Sequence, residues 1–194
     1  MRYRYGNPDR GHLDLVPGKA SGYNASWKDR FMRERNTMAE IIPFQVIHPG
    51  EGLWERISSL PYDVYSRQEA REAAAKDPLS FLNIDRPETQ FPPDMDMYAE
   101  EVYERAAALL QEEIRAGDFV KEETPCFYLY ELTMEGRSQT GVVAACGVDD
   151  YLEGTIRRHE NTRQDKEEDR VRHVDALNAQ TGPIFLAYRE KAAL

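Results

Sequence analysis

Residues 125–148 read PCFYLYELTMEGRSQTGVVAACGV, and this stretch decides the fold class. Two runs rich in aromatic and β-branched residues flank Glu135-Gly136-Arg137, a pattern typical of two antiparallel strands joined by a tight turn. Both runs carry apolar residues in succession, so we expect both faces of this hairpin to be covered.

The segment before the hairpin predicts the longest helix, from about Asp96 to Arg115. Its apolar side chains recur every three or four residues and therefore share one face. Gly117 suits the left-handed residue that ends many helices. Further upstream, Ser66 and Glu69 form the S-x-x-E capping box of a shorter helix.

Strands are predicted toward both ends of the chain. The apolar run IIPFQVIHP at residues 41–49 and the run TGPIFLAY at residues 181–188 each favour a strand. Between the hairpin and the last strand, composition favours a helix from roughly Arg163 to Asn178. The sequence therefore predicts an α/β (α+β) protein with a mixed β-sheet, a β-hairpin and flanking helices.

Residues 1–40 differ from the remainder of the 194-residue chain. Glycine and proline punctuate a polar, mildly basic segment without clear periodicity, which indicates an extension with at most a short helix near Ser26 to Arg35. We expect organised structure over residues 41–194.

Charge and composition exclude several classes of protein. The net charge is −10, and residues 41–194 hold 17 Lys and Arg against 30 Asp and Glu. Such a body repels a phosphate backbone, so binding to nucleic acid is not expected. No apolar run approaches the roughly 20 residues of a membrane span, and Cys126 and Cys146 fit no zinc spacing. We expect a cytoplasmic protein with two reduced thiols and no membrane association.

The chain contains incomplete forms of two catalytic motifs, the phosphate-binding loop and the zinc-protease pattern. Gly136 to Gly141 has the glycine spacing of a phosphate-binding loop, but Val142 and Val143 replace its lysine and its Ser or Thr. His159-Glu160 begins the zinc-protease pattern H-E-x-x-H, but Arg163 occupies the place of the second histidine. We therefore assign no metal ligand from the sequence.

The charged stretch GTIRRHENTRQDKEEDRVRH at residues 154–173 has two interpretations. Its second part, from Gln164 onward, alternates acids and bases that can pair at i, i+3 and i+4 on a solvated helix. Its first part places Arg157, Arg158 and Arg163 just before that helix, where free backbone N–H groups and the helix dipole favour an anion. That order favours an anion-binding site at the helix entrance.

A second candidate is the turn SSLPYDVYS at residues 58–66. Tyr62 and Asp63 present a hydroxyl and a carboxylate next to Pro61, suitable for holding a ligand or accepting a proton. The alternative is structural: Asp63 closes a turn with its own side chain and Tyr62 fills the edge of a core.

Six blocks in order carry a family resemblance: PFQVIHP, SSLPYDVYS, DPLSFLNIDRPE, YELTMEGRSQTGVVA, GTIRRHENTRQDKEEDRVRH and AQTGPIFLAY. From about Ile42 to Tyr188 the chain resembles the amino-terminal part of the prokaryotic domain-of-unknown-function family numbered 1015. The resemblance implies a protein about twice as long, whose second half carries an Asp-Gly-His-His-Arg motif like that of ParB, sulfiredoxin and the free-serine kinases. That motif does not occur in this chain.

The resemblance also implies which residues form the site. The family's R-R-H-E-x-T-R block falls on Arg157, Arg158, His159, Glu160, Thr162 and Arg163, its P-Y-D-V block on residues 61–64, and its Q-T-G-P block on residues 180–183. We expect the arginines, Thr162 and Tyr62 to bind phosphate or substrate. Glu160 or Asp63 would accept a hydroxyl proton, and His159 would orient or donate.

The implied activity is a nucleotide-dependent small-molecule phosphotransferase acting on a hydroxy amino acid, with ATP or ADP and magnesium as cofactors. Two other classes remain open at this stage. A hydrolase of a phosphorylated metabolite would use the same arginines, and a ParB-like regulatory or nucleic-acid-binding module would have no chemistry.

Overall fold

The structure is a computed structural model that describes residues 2–4, 39–158 and 163–188. Helices and small sheets alternate along the chain, so the predicted α+β class is confirmed. The strands are divided among three small sheets. The chain separates into two units, Met1–Ile47 with Lys121–Asn161 and His48–Val120 with Thr162–Leu194. The helix expected near Ser26 to Arg35 lies outside the described residues.

The described strands are β1 (Arg2–Arg4), β2 (Ile41–Ile42), β3 (Ile47–Pro49), β4 (Phe119–Lys121), β5 (Tyr128–Met134), β6 (Arg137–Val143) and β7 (Ala145–Cys146). The described α-helices are α1 (Trp54–Ile57), α2 (Arg67–Ala74), α3 (Leu82–Asp85), α4 (Glu100–Ala116), α5 (Val148–Leu152) and α6 (Gln164–Leu177). Two 3-10 turns cover Tyr62–Val64 and Pro87–Gln90.

The first unit is organised around the hairpin of β5 and β6. Its register runs from Tyr128 opposite Val143 to Met134 opposite Arg137. The two loop residues, Glu135 and Gly136, have φ values of 51° and 78°, as a two-residue turn between twisted strands requires. The predicted hairpin is confirmed, and β1 adds a third, antiparallel strand along β5.

The expectation that both hairpin faces are covered is wrong. Six of the seven residues of β6 are exposed, and so are Leu129 on β5 and Met134 at its end. A strand assigned from apolar content is buried only where another element packs on it. Here apolar side chains stay at the surface of the described part.

The run IIPFQVIHP is not one strand. It divides into β2, which pairs with β7, and β3, which pairs with β4. Between them, Phe44 exchanges backbone hydrogen bonds of 3.1 and 3.0 Å with Cys126. The Phe44 ring also meets the Tyr128 ring edge-on at 5.2 Å. Both cysteines are free thiols.

The second unit is mainly helical, and α4 is its longest element. Val102, Tyr103, Ala106 and Leu110 form the buried face of α4, which confirms the predicted helical face. The helix ends at Gly117 in the left-handed conformation with φ of 82°. Helices α3 and α6 both contact α4, so α6 lies against a core that includes Leu82 and Ile84, both wholly buried.

The strand predicted for residues 181–188 is wrong. Residues 183–188 form no regular structure, and Ile184, Phe185 and Tyr188 are 76%, 75% and 93% exposed. A β-rich apolar run becomes a strand only when a neighbouring strand supplies hydrogen bonds, and none of the described strands pairs with this segment.

Among residues 2–4, 39–158 and 163–188, every helix is too short or too polar to span a lipid bilayer.

Candidate functional site

The structure divides the residues expected at the site between its two units. Arg157 and Arg158 belong to the first unit and are exposed. Arg158 donates from Nε to the hydroxyl of Tyr151 at 2.6 Å, and its guanidinium lies 5.6 Å from the same ring. His159, Glu160 and Thr162 lie outside the described residues. The shared site of the whole R-R-H-E-x-T-R block therefore stays a prediction.

Arg163, Tyr62 and Asp63 belong to the second unit. Arg163 is the N-cap residue of α6 and forms two hydrogen bonds to the carboxylate of Asp165, at 3.0 and 2.7 Å. This partner holds the pKa of Asp165 below its usual value. The Arg163 side chain is still 75% exposed. Its guanidinium is thus engaged by its own helix and also open to solvent.

An open cleft of about 750 Å³ runs along one side of α6, and we call it the α6 cleft. Its lining consists of Tyr62, Lys166, Glu167, Arg170, Val171, Val174, Asp175 and Gln180. Of the residues that the sequence placed at the site, Tyr62 and, through the Q-T-G-P block, Gln180 belong to this lining. The volume falls within the roughly 300–1,000 Å³ typical of small-molecule sites.

Arg170 is the most constrained side chain of the α6 cleft. Its Nη1 donates to Oδ1 of Asp85 at 3.2 Å and its Nη2 to Oδ2 of Asp169 at 3.1 Å. Its Cζ lies 4.3 Å from the centre of the Tyr62 ring, a distance typical of a cation–π contact. Two carboxylates and one ring therefore fix this guanidinium at the wall of the cleft.

The two carboxylates are themselves held from behind. Asp169 accepts the hydroxyl of Tyr103 at 2.8 Å, and Asp85 accepts the hydroxyl of Thr181 at 3.1 Å. Burial raises the pKa of Asp85, although the charge of Arg170 opposes that rise. Burial and the Asp169 carboxylate likewise raise the pKa of Tyr103. The network thus joins α3, α4, α6 and the segment after α6.

His173 lies at the bottom of this network and is wholly buried. Its Nε2 donates to the backbone carbonyl of Ile84 at 2.9 Å, because a carbonyl can only accept. Burial lowers the pKa of His173, so the ring is neutral near pH 7. Nδ1 has no hydrogen-bond partner among the described residues.

The turn that carries Tyr62 is fixed by a second buried arginine. Arg86 donates from Nη1 to the carbonyls of Tyr62 and Tyr65, at 3.0 and 3.2 Å. Its Nε donates to Glu88 at 2.6 Å, and both side chains are nearly buried. This anchor holds the Tyr62 ring where Arg170 can stack on it.

The sequence interprets α6 as a solvated, salt-bridged helix, and one of its faces is indeed exposed. The bond between Gln164 and Glu168 on that face joins an amide to a carboxylate and is not a salt bridge. Asp169, His173 and Leu177, however, are buried, and their spacing of four residues is the helical signal that the surrounding charges obscured. Asp85 was missed, although it stands in a block that carries the family resemblance, and Thr181 was named only as part of the Q-T-G-P block, without a role.

The chain belongs to the family described as Protein of unknown function (DUF1015), whose model matches residues 41–194. No curated protein and no solved structure is significantly similar to the chain. The family membership predicted from the six sequence blocks is therefore confirmed, and the family's description assigns it no activity.

Proposed function

We propose that this chain supplies the substrate-binding part of a nucleotide-dependent phosphotransferase whose substrate is a hydroxy amino acid. The observation that carries the proposal is the arrangement of charges in the α6 cleft. Two cations and two carboxylates line it beside an apolar floor and a tyrosine ring.

The charges form two rows along α6. Lys166 and Arg170 are four residues apart and so lie on one row. Glu167 lies on the neighbouring row, with Asp175 two turns further along. A free amino acid carries one carboxylate and one ammonium, so it complements a cleft of this kind. The carboxylate binds Arg170 and Lys166, and the ammonium binds the acidic row.

Apolar groups between the rows suit the carbon chain of such a substrate. Val171 and Val174 line the cleft together with the Tyr62 ring. The Gln180 amide adds one donor and one acceptor, which can pair with a substrate hydroxyl. The cleft thus matches a small, doubly charged and hydroxylated molecule better than a purely anionic one.

The transfer step follows from phosphoryl chemistry. The substrate hydroxyl oxygen forms a bond to the terminal phosphorus of ATP or ADP, the bond from that phosphorus to its bridging oxygen breaks to release ADP or AMP, and the hydroxyl proton passes to a base. Asp63, which follows Tyr62 in its turn, and Glu160 are the proposed bases, with His159 orienting the group. Arg157, Arg158, Thr162 and Arg163 are the proposed phosphate ligands.

Magnesium would shield the phosphate charges in such a reaction. The part of the chain that the structure describes brings together no group of three His, Cys, Asp or Glu side chains suited to a metal ion.

Ligand binding tests the proposal without requiring catalysis. Calorimetric titration with L-homoserine should show saturable binding, and both N-acetyl-homoserine and homoserine methyl ester should bind at least about tenfold more weakly, because each lacks one charged partner. Lys166→Gln should weaken homoserine binding severalfold. Arg170→Lys, which keeps the charge and loses the planar fork, should do the same.

Equal affinities for the three ligands would contradict a cleft that binds both the carboxylate and the ammonium of an amino acid. Activity is tested separately, by mass spectrometry of phospho-amino acids formed from ATP or ADP and serine, threonine or homoserine. Phosphate release from a phosphorylated metabolite in the absence of nucleotide would assign the chain to the hydrolases instead.

A further inference from the structure

A second, smaller pocket lies in the same unit as the α6 cleft, and we call it the Arg56 pocket. Its polar lining consists of Arg56, Lys76, Asp77 and the hydroxyls of Ser58, Ser59 and Ser80. We propose that this pocket binds a phosphate group, one that the phosphoryl donor keeps, whereas the transferred group is the one assigned above to Arg157, Arg158, Thr162 and Arg163. Phosphate binding stands on the pocket's own chemistry, and only the identification of the donor rests on the proposed function.

The charge of the pocket is the first support. Two cations and one carboxylate give the lining itself a net charge of +1 in a chain whose total is −10, while the nearby carboxylate of Asp118 also acts on Arg56. A local excess of positive charge in an acidic protein attracts small anions that the rest of the surface repels. A monoanionic oxyanion would neutralise the pocket.

Free hydrogen-bond donors are the second support. Arg56 uses Nε and Nη2 for Asp77, at 2.8 and 2.9 Å, and leaves Nη1 available. Among the described residues, the structure shows no hydrogen bond to the side chains of Lys76, Ser58, Ser59 or Ser80. Hydroxyl, ammonium and guanidinium groups are the side-chain donors that phosphate oxygens accept most readily.

The walls of the pocket are rigid. The turn after Asp77 is closed by its own side chain, whose Oδ1 accepts the N–H of Leu79 at 3.0 Å. Asn83 donates to the carbonyls of Asp77 and Pro78, both at 3.3 Å. Beneath them, Leu82 is wholly buried and forms an apolar floor. Donors held in place before the ligand arrives lose little entropy on binding.

The size of the pocket suits a headgroup and not a whole metabolite. Its volume of about 240 Å³ lies below the roughly 300–1,000 Å³ of pockets that enclose drug-sized ligands. A phosphate would fit with the remainder of its molecule outside. The pocket therefore favours one end of a larger donor or a free inorganic anion.

One segment connects the two sites. Ser58, Ser59 and Tyr65 line the Arg56 pocket, and Tyr62 of the same stretch lines the α6 cleft. Arg86 holds the carbonyls of Tyr62 and Tyr65. The segment SSLPYDVYS thus contributes to both sites, as a phosphotransferase requires of the region between donor and acceptor.

The test is a calorimetric titration of the full chain, at low salt, with inorganic phosphate, pyrophosphate, ADP and adenosine. Phosphate and pyrophosphate should bind saturably. Lys76→Gln should weaken phosphate binding about tenfold, because it removes one charge-assisted hydrogen bond, and Ser80→Ala should weaken it a few-fold. Lys121→Gln, which removes an exposed lysine of β4, is the matched control and should leave it unchanged.

The outcomes separate the two proposals and the two sources of phosphate. If phosphate does not bind saturably, or if Lys76→Gln and Lys121→Gln lose the same amount of phosphate affinity, the Arg56 pocket is not a phosphate site. ADP that binds more tightly than phosphate, with the same loss in Lys76→Gln, assigns a nucleotide donor. If phosphate binds as expected but no phospho-amino acid forms, the pocket stands and the proposed activity fails.

Discussion

Arg170, Asp85 and Asp169 place three charges close to the interior of the second unit. Their side chains are 26%, 12% and 8% exposed. Removing such groups from water costs several kcal/mol for each ion, and their mutual attraction offsets this cost only with good geometry and further hydrogen bonds. Tyr103 and Thr181 supply those hydrogen bonds. A costly network beside an open cleft is more readily explained by ligand binding than by stability.

Glu113 shows the opposite case, a buried carboxylate without a cation beside it. It is 4% exposed, and its Oε2 has no partner among the described residues. Burial, followed by the charge of Asp118, raises its pKa from 4.5 to about 7, although Arg105 opposes the rise. The folded protein therefore binds a proton at Glu113 more tightly than the unfolded chain does.

This difference predicts a pH dependence of stability. A raised folded pKa gives a contribution that is complete below about pH 4.5 and is lost as the pH rises to about 7, with a size of up to about 3 kcal/mol. Glu113→Gln replaces the carboxyl with an amide that resembles its protonated form and cannot ionise, so the variant should escape the loss at high pH and be the more stable protein at pH 8. Urea unfolding of variant and wild type from pH 4.5 to 8 measures it.

Glu112→Gln serves as the control for Glu113→Gln. Glu112 is the exposed neighbour on α4 and contacts Arg105 at 3.2 Å. Its replacement should change stability by less than about 1 kcal/mol at every pH. A difference between wild type and Glu113→Gln that does not vary with pH would contradict the raised pKa.

Among the elements, α6 combines two environments on one helix. Its first turn is exposed and internally paired through Arg163 and Asp165, and its middle is packed against α4 through Tyr103 and Asp169. Arg172 strengthens the same contact, since its guanidinium bonds Glu100 at 2.9 Å and lies 4.4 Å from the Tyr103 ring. The helix is thus a rigid wall for the cleft along most of its length.

Helix α2 depends on its capping box. Ser66 Oγ accepts the N–H of Glu69 at 3.3 Å, and the Glu69 carboxylate accepts the N–H of Ser66 at 2.9 Å. Ser66→Ala should lower the free energy of unfolding by about 1 kcal/mol, because one N–H of the first turn loses its partner. Chemical denaturation with an unchanged m-value would measure this loss.

Gln68→Ala is the matched control on α2. Gln68 contributes only an exposed side-chain bond to Glu72, at 2.9 Å, which is worth a few tenths of a kcal/mol at most. A Gln68→Ala variant as unstable as Ser66→Ala would show that the capping box contributes nothing special to α2.

For the whole molecule, the acidic charge predicts the partners it avoids. A chain with net charge −10 should show no binding to duplex DNA at roughly 100 mM salt, because the phosphate backbone is repelled and few counterions are released. Fluorescence anisotropy with a labelled duplex measures it, with free phosphate as the comparison ligand. Saturable binding whose affinity falls steeply with salt would instead favour a nucleic-acid-binding module.

The elements that the sequence predicted well depend on local signals. Ser66-x-x-Glu69, the Glu135-Gly136 turn and Gly117 each specify a conformation through one or two residues, and all three appear in the structure as expected. The limits of α6 also follow the sequence, because Arg163 and Asn178 flank it as its caps. Caps and tight turns depend on a few residues adjacent in the sequence, so they form without contacts from distant parts of the chain.

Tertiary contacts decided which predicted strands form, which surfaces are buried and which side chains meet in the α6 cleft. Whether residues 181–188 become a strand depends on a neighbour to pair with, and whether β6 is buried depends on a layer to cover it. The α6 cleft depends on the same kind of long-range contact. Asp85 forms hydrogen bonds with Arg170, 85 positions further along the chain, and with Thr181, 96 positions further along. The sequence alone determined the family, the fold class, the cap of α2, the end of α4 at Gly117 and both ends of α6. Only the packing of α3, α4 and α6 determined which of many charged side chains meet at one place, because burial and charge pairing are properties of three-dimensional neighbours.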